Sequence, residues 1–86
     1  MNPAAAWADS GDHEEARRAV EAGQIRPLTE ILRIAQAKLP GKVVRVKIEQ
    51  EDGFWVYEFR VVDGRGKLFE VYVDARTGEI RRVKEK

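Results

Sequence analysis

Hydrophobic and polar residues alternate through most of the C-terminal half of the chain. The Leu68–Asp74 stretch repeats with a period of two, which predicts a half-buried strand. The alternation stops at Asp74, whose side chain can bond the backbone ahead of it, and Gly78 can take the positive φ that closes a tight turn. A return strand is predicted over residues 79–83. These two strands form a hairpin on which the preceding segments can pack.

Two earlier strands are predicted in front of this hairpin. Residues 43–51 alternate, with Val44, Val46 and Ile48 on one side, and Asp52-Gly53 is the dipeptide favoured in two-residue type I′ hairpins. The next strand, Phe54–Val62, is apolar on both faces, as expected inside a sheet. If Val61 pairs with Phe69, then Arg60 faces Glu70 across the strands as an opposite-charge pair.

Helical periodicity occupies the N-terminal half. Residues 12–22 predict a short helix that ends at Gly23. A second helix is predicted over residues 27–39, with Pro27 at its first position and Pro40-Gly41 at its end. Ile34, outside its apolar stripe, is predicted to pack on the first helix. The stripe itself consists of Leu28, Ile31, Leu32, Ala35 and Leu39.

Helices followed by strands are typical of an α+β fold. We expect two N-terminal helices followed by a four-stranded antiparallel meander sheet, with the second helix packed on one sheet face. The whole forms a single domain over residues 12–86. Residues 1–11 show no periodicity and are predicted to be a disordered tail.

The tail has two interpretations. Ala6-Trp7-Ala8 has the A-x-A form that precedes a signal-peptidase cut, although no basic or long apolar region stands before it. It is either the remnant of a secretory signal or a plain alanine-rich start. The first interpretation predicts an exported protein, periplasmic or secreted.

Composition narrows the functional classes. The 86 residues contain 16 Lys and Arg against 15 acidic residues, a net charge of +1, which argues against a nucleic-acid binder. The absence of cysteine removes disulfides and thiol nucleophiles. No apolar run approaches the roughly 18 residues of a membrane span, so the protein is not expected to cross a membrane.

The strand and turn residues together resemble a PepSY domain. The resemblance covers roughly residues 25–83 and rests on the helix before Pro40-Gly41, the strand after it, Asp52-Gly53, Trp55-Val56-Tyr57-Glu58-Phe59, and above all Tyr72-Val73-Asp74-Ala75-Arg76-Thr77-Gly78-Glu79-Ile80. Residues 12–20, followed by Gly23, also resemble the start of small exported single-domain PepSY proteins of Proteobacteria.

The resemblance implies a non-enzymatic module of the kind found in propeptides of thermolysin-type metallopeptidases and in secreted or membrane-attached bacterial proteins. Such modules are proposed to inhibit or regulate peptidases. Since these residues include no peptidase domain, inhibition is expected to act on a separate protein. The resemblance carries no catalytic residues onto this chain.

Candidate chemical sites are weak. His13 stands among Asp12, Glu14 and Glu15, but adjacent residues at a helix start cannot all point at one cation. The strand and turn carboxylates are expected to face solvent rather than a pocket. Ser10 and Thr77 lack a neighbouring base, and the glycines lack phosphate-binding spacing. We therefore predict no catalytic, metal or cofactor-binding residues.

The sheet face opposite the second helix is the predicted partner-binding surface. Three alternatives stay open: the first helix covers this face, its aromatic residues only stabilise the sheet, or the register differs. By alternation the surface contains Phe54, Val56, Val62, Leu68 and Tyr72, and an exposed apolar patch of this kind suggests a protein contact.

Two functional hypotheses follow. The first is an exported protein-binding regulatory module that restrains a peptidase or binds another envelope protein. The second is a structural domain that self-associates through the exposed sheet face or edge. The oligomeric state is expected to be a monomer or a weak homodimer.

Overall fold

The computed structural model describes residues 13–86, which form two helices and one four-stranded sheet. The predicted tail over residues 1–11 lies outside the described residues. The elements are α1 (His13–Glu21), α2 (Leu28–Ala35), a 3-10 turn (Gln36–Lys38), β1 (Lys42–Glu51), β2 (Phe54–Val62), β3 (Leu68–Asp74) and β4 (Ile80–Glu85). The predicted α+β fold is confirmed.

The strands lie in the order β1-β2-β3-β4, and each neighbouring pair is antiparallel, so the predicted meander is confirmed. Val61 pairs with Phe69, and Arg60 faces Glu70. The Arg60 guanidinium donates to the Glu70 carboxylate at 3.1 Å. The charge pair deduced from this register is therefore present.

Both helices pack on one face of the sheet. Ile31 and Ala35 of α2 are fully buried, as are Ala16 of α1 and Ile48 of β1. Small side chains at Ala16 and Ala19 let α1 approach closely, so this helix lies on the same face as α2 and leaves the opposite face open. The core includes Ile25, Tyr57, Phe59, Val61, Val71, Val73 and Ala75.

The connector between the helices is tied to the β3–β4 turn. The Arg26 amide donates to the Ala75 carbonyl at 2.8 Å, and Arg26 Nε donates to the Arg76 carbonyl at 2.6 Å. The buried Tyr57 hydroxyl donates to the Arg26 carbonyl at 2.7 Å, which satisfies a polar group inside the core. Burial raises the pKa of Tyr57. The hairpin that dominates the sequence pattern thus also anchors the helical half.

Helix α2 is shorter than predicted, and Ile34 is placed differently. The helix ends at Ala35 and tightens into the 3-10 turn over Gln36–Lys38. Tightened last turns of this kind are common at helix ends. Ile34 is exposed and lies against Gly78 of the β3–β4 turn, so the predicted contact with α1 is wrong. Ile34 projects from α2 toward this turn.

A bulge in β1 changes one predicted side-chain direction. The register with β2 shifts between Val43 and Arg45, so the extra residue Val44 is exposed. Val43 instead pairs with Val61 and packs at the core margin beside Val46. A bulge inserts one residue without pairing, which inverts the alternation beyond it. The interpretation of Val44 as a residue in line with Val46 and Ile48 was therefore wrong.

The first hairpin turn has the geometry that its dipeptide predicts. Asp52 and Gly53 have φ values of 51° and 83°, both positive, as a type I′ turn requires.

Within residues 13–86, no helix is both long and apolar enough to cross a bilayer.

Candidate partner-binding surface

The open face is the side of the sheet that neither helix covers. Its central rows follow from the register: Glu58 of β2 pairs with Tyr72 of β3, which pairs with Arg82 of β4. One row further, Arg60 pairs with Glu70, which pairs with Lys84. Polar and charged side chains therefore occupy the middle of this face.

The five predicted surface residues share this face but not the same exposure. Phe54 is 53% exposed and Leu68 is 36% exposed, whereas Tyr72 is only 8% exposed. Val56 is buried and Val62 is half-buried. Because Val62 pairs with Leu68 at the end of β2 away from Phe54, the two exposed side chains lie at opposite ends of the strand. The exposed apolar area is therefore two separate points, and its role in binding a partner stays a prediction.

Cationic side chains from β4 lie over two aromatic residues of this face, Phe54 and Tyr72. The Arg82 guanidinium lies 4.4 Å from the centre of the Tyr72 ring and donates to the Glu51 carboxylate at 3.2 Å. The Arg81 guanidinium lies 5.3 Å from the centre of the Phe54 ring. Both contacts are cation–π interactions. The pairing of Arg82 with Tyr72 across β3 and β4 would have revealed this cover, but sequence analysis did not derive that register.

The Asp74 carboxylate holds the β3–β4 turn at one end of the open face. Its Oδ1 accepts from the amides of Arg76 at 2.8 Å and Thr77 at 3.1 Å, and its Oδ2 accepts from Arg81 at 3.1 Å. The carboxylate is almost entirely buried, and these donors replace the water that it loses. The turn predicted at this position is therefore held by Asp74 in the expected way, and it positions Arg81 beside Phe54.

Three carboxyl groups meet on the open face, a cluster that sequence analysis did not predict. The cluster consists of Glu49 of β1, Glu58 of β2 and Glu70 of β3, which lie on one diagonal across the strands. The pKa of Glu58 is raised to about 7. Burial is the largest cause, and hydrogen bonding with Glu49 and Glu70 contributes in the same direction. The diagonal depends on both neighbouring registers, so the spacing within any one strand gives no signal of it.

Glu70 behaves oppositely within the same cluster. The hydrogen bond from Arg60 lowers the pKa of Glu70 to about 2, with further contributions from the Glu58 proton and from Lys86, whose Nζ is 3.7 Å away. As pH rises, Glu70 therefore ionises before Glu58, because the two pKa values shift in opposite directions. Two neighbouring carboxyl groups with divergent pKa values can perform acid–base chemistry if a substrate fits beside them.

The surroundings of Glu58 leave no space for a substrate. The depression beside it holds about 10 Å³ and is lined by Arg45, Lys47, Glu58 and Arg60. That volume is about that of one water molecule. In the described part of the chain, no group of three His, Cys, Asp or Glu side chains could hold a metal ion.

The predicted acidic cluster at the start of α1 is only partly described. Asp12 lies outside the described residues, and the structure gives no side-chain description for His13. Glu14 is engaged by Arg17, which donates to both carboxylate oxygens at 2.7 and 2.8 Å. Glu14 therefore has a partner within its own helix.

The chain was compared with known proteins. A family model described as "Peptidase propeptide and YPEB domain", named PepSY, matches residues 27–84. No curated protein and no solved structure matches the chain significantly. The matched residues begin just before α2 and include all but the last residue of β4, and they make up more than half of the 86 residues. This chain therefore belongs to the PepSY family.

Proposed function

We propose that this protein is an exported regulatory module that binds a protein partner through its open sheet face and restrains a peptidase. The family match over residues 27–84 carries the proposal, because the family's description names peptidase propeptides. The proposal takes the restrained peptidase to be a separate protein, which the assay below tests directly. Export is supported by Ala6-Trp7-Ala8 near the N-terminus.

The open face has features that suit protein recognition. Phe54 provides an aromatic side chain at one end and Leu68 an aliphatic one at the other. Arginine and aromatic residues are enriched among the residues that dominate binding energy, and Arg81 already lies on the Phe54 ring. The ion pairs between these points hold the side chains in place, so a partner would meet a pre-ordered surface.

The same face supports binding rather than catalysis. Glu58 has the pKa of a general acid, but only about 10 Å³ of space lies beside it. A catalytic carboxyl group must reach the proton that it transfers in a bound substrate. The open face satisfies the requirements of an interface without those of an active site.

The direct test is a peptidase inhibition assay. Purified full-length chain is titrated into a mature thermolysin-type metallopeptidase that cleaves a fluorogenic peptide, and the initial rate is recorded. The proposal predicts a dose-dependent fall in rate that saturates with a stoichiometric complex. An unchanged rate across a panel of such peptidases, together with no complex in size-exclusion chromatography, would contradict it.

Self-association is the second candidate, and the free strand edges favour it. Among the described residues, β1 pairs only with β2, so one edge of a ten-residue strand has no partner. Exposed edges of this kind can pair with a second copy. Light scattering across a concentration series distinguishes the candidates, because a dimer that forms without any peptidase would favour the structural role.

A further inference from the structure

A groove crosses the end of the sheet beside α1, apart from the middle of the open face. One part of about 340 Å³ lies between the β1–β2 turn and the β3–β4 turn, and a second part of about 280 Å³ continues toward α1. Gln24, Gln50 and Trp55 line both parts. We call this feature the Trp55 groove, defined by Arg18, Gln24, Gln50, Trp55, Arg76 and Thr77.

The floor of the Trp55 groove is held rigidly. Trp55 pairs with Gln50 across the first hairpin, and its carbonyl accepts from the Ala75 amide at 3.0 Å. Its indole is half-buried, so one part packs against the core while another part faces the groove. Gln24 is fixed at the rim because its amide donates to the Ala19 carbonyl at 2.8 Å. A preformed concave site with an aromatic floor is typical of ligand sites.

The polar groups around this floor have unused hydrogen-bonding capacity. Neither the Gln24 nor the Gln50 side-chain amide forms a hydrogen bond to another described residue. Each primary amide provides a donor and an acceptor, which is the combination that a peptide group requires. Two such amides in the same groove as an indole can bind a main chain whose side chain lies on the ring.

A guanidinium group stands at the turn end of the groove. The Arg76 backbone is fixed on both sides, because its amide donates to Asp74 and its carbonyl accepts from Arg26. Its guanidinium, however, forms no ion pair with any residue from 13 to 86. The neighbouring Asp74 carboxylate does not compete for it, since both oxygens already accept hydrogen bonds and one is paired with Arg81. At the α1 end, Glu15 and Arg18 balance each other in charge.

We propose that the Trp55 groove binds an extended peptide segment of a partner protein, with an apolar side chain on Trp55 and a carboxylate on Arg76. The main chain of the segment is held by the amides of Gln24 and Gln50. The carboxylate is that of an acidic side chain of the segment, and a free C-terminus is the alternative that the second probe below distinguishes. Guanidinium groups bind carboxylates through two parallel hydrogen bonds, which makes this pairing directional.

A peptide fits this chemistry better than a neutral sugar. Aromatic floors and amide side chains are shared by both kinds of site, but a neutral sugar offers no anion to Arg76. The guanidinium at one end therefore favours a peptide with a defined direction.

Trp55 itself reports binding. The chain has two tryptophans, so Trp7→Phe leaves Trp55 as the only indole in the full-length protein. The first probe is acetyl-Ser-Leu-Ser-Asp-Ser-amide, and the second is acetyl-Ser-Leu-Ser with a free C-terminal carboxylate. The controls replace Asp by Lys or Leu by Ser in the first probe. We expect a saturable change in Trp55 emission with a carboxylate probe. The affinity should be about tenfold lower for the control with Lys in place of Asp. The control with Ser in place of Leu should give no saturable change.

Matched variants localise the effect. Arg76→Gln should weaken binding of the carboxylate probe by about threefold to fivefold, the range for one exposed charge pair. Arg65→Gln, in the loop at the other end of β2, should leave binding unchanged. No saturable change with either carboxylate probe, or equal affinity for the Lys probe, would overturn the proposal. A response to maltotriose or to dilution of the protein alone would overturn it in favour of a sugar or a second copy.

The peptide site and the proposed peptidase role can each be disproved without the other. A protein that binds the probes but inhibits no peptidase keeps the peptide site and loses the peptidase role. A protein that inhibits a peptidase equally well as wild type and as Arg76→Gln, without binding the probes, keeps the peptidase role and loses the peptide site.

Discussion

The two faces of the sheet are built from the same strands but differ in what their side chains do. On the helix-covered face, Tyr57 and Phe59 of β2 and Val71 of β3 are completely buried. On the open face, Glu58 and Arg60 of β2 and Glu70 of β3 form a charged network. Burial of apolar area is the main stabilising term in folding, whereas exposed ion pairs contribute little. One face therefore supplies most of the stability, and the other is free to serve recognition.

The open face also shows that burial and core membership differ. Tyr72 is 8% exposed, yet it is covered by the Arg82 side chain rather than by a helix. A long arginine side chain can cover an aromatic ring while its charged end stays in water. The burial of Tyr72 therefore comes from a charged side chain of its own face and not from the core.

The largest expected effect is the difference in stability between removing a phenylalanine ring from the helix-covered face and removing one from the open face. Phe59→Ala removes a fully buried ring and should lower the free energy of unfolding by about 3–5 kcal/mol. Phe54→Ala, on the same strand but on the open face, should change it by less than about 1 kcal/mol. Urea denaturation followed by circular dichroism measures both. Equal losses in the free energy of unfolding would show that the two faces contribute equally to stability.

A smaller effect on stability is expected at the β3–β4 turn, which Ile34 of α2 contacts at Gly78. Gly78 has φ of 83°, and an added Cβ would lie 2.7 Å from Cγ2 of Ile34. Gly78→Ala should therefore lower the free energy of unfolding by about 1–3 kcal/mol through backbone strain and the clash together. Gly66→Ala, with φ of 84° and no atom within 4 Å of the added Cβ, should show the strain alone.

The double variant Gly78→Ala/Ile34→Ala isolates the contact between α2 and the turn. If Ile34 causes the additional loss, the second substitution should recover part of it in the same denaturation experiment. No recovery, together with equal losses for Gly78→Ala and Gly66→Ala, would show that Ile34 does not restrict this turn.

A third effect on stability is a pH dependence that originates on the open face. Folding raises the pKa of Glu58 from 4.5 to about 7, so the folded state binds its proton more tightly over that interval. The free energy of unfolding should then fall as pH rises from 4.5 to 7. Glu70 has the opposite sign, because its pKa falls from 4.5 to about 2 and its contribution is lost as pH falls through that range.

Glu58→Gln tests this assignment, because glutamine keeps a donor and cannot ionise. The variant should lose the decline between pH 4.5 and 7 and should be more stable than wild type above pH 7. Thermal melting at half-unit pH steps measures the difference, with the exposed Glu79→Gln as the matched control. A wild-type profile that is flat between pH 4.5 and 7 would be incompatible with a shared proton at Glu58.

Much of the fold could be predicted from local patterns. Strand β2 spans the predicted residues Phe54–Val62, and the Val61–Phe69 register places Arg60 against Glu70 as expected. These predictions succeed because alternation and turn dipeptides act over a few neighbouring residues. The α2 stripe is likewise local, and its members Ile31 and Ala35 are buried.

The errors arise where two segments must be known together. The bulge that exposes Val44 leaves no mark on the alternation of β1 itself. The contact of Ile34 with Gly78 joins a helix to a distant turn. The carboxyl cluster requires the registers of β1–β2 and β2–β3 at once, and the cover on Tyr72 depends on how far Arg82 reaches across β3. Each is a tertiary feature that no single strand or helix encodes.

The central claim is that the open face, and not the helix-covered face, binds the partner. Phe54 and Val83 provide a matched pair, since they are 53% and 50% exposed and lie on opposite faces of the sheet. The decisive measurement is inhibition of a thermolysin-type metallopeptidase by wild type, Phe54→Ser and Val83→Ser. We expect Phe54→Ser to weaken inhibition by about tenfold or more and Val83→Ser to leave it within about twofold. Equal weakening by both variants, or no inhibition by wild type, would contradict the account.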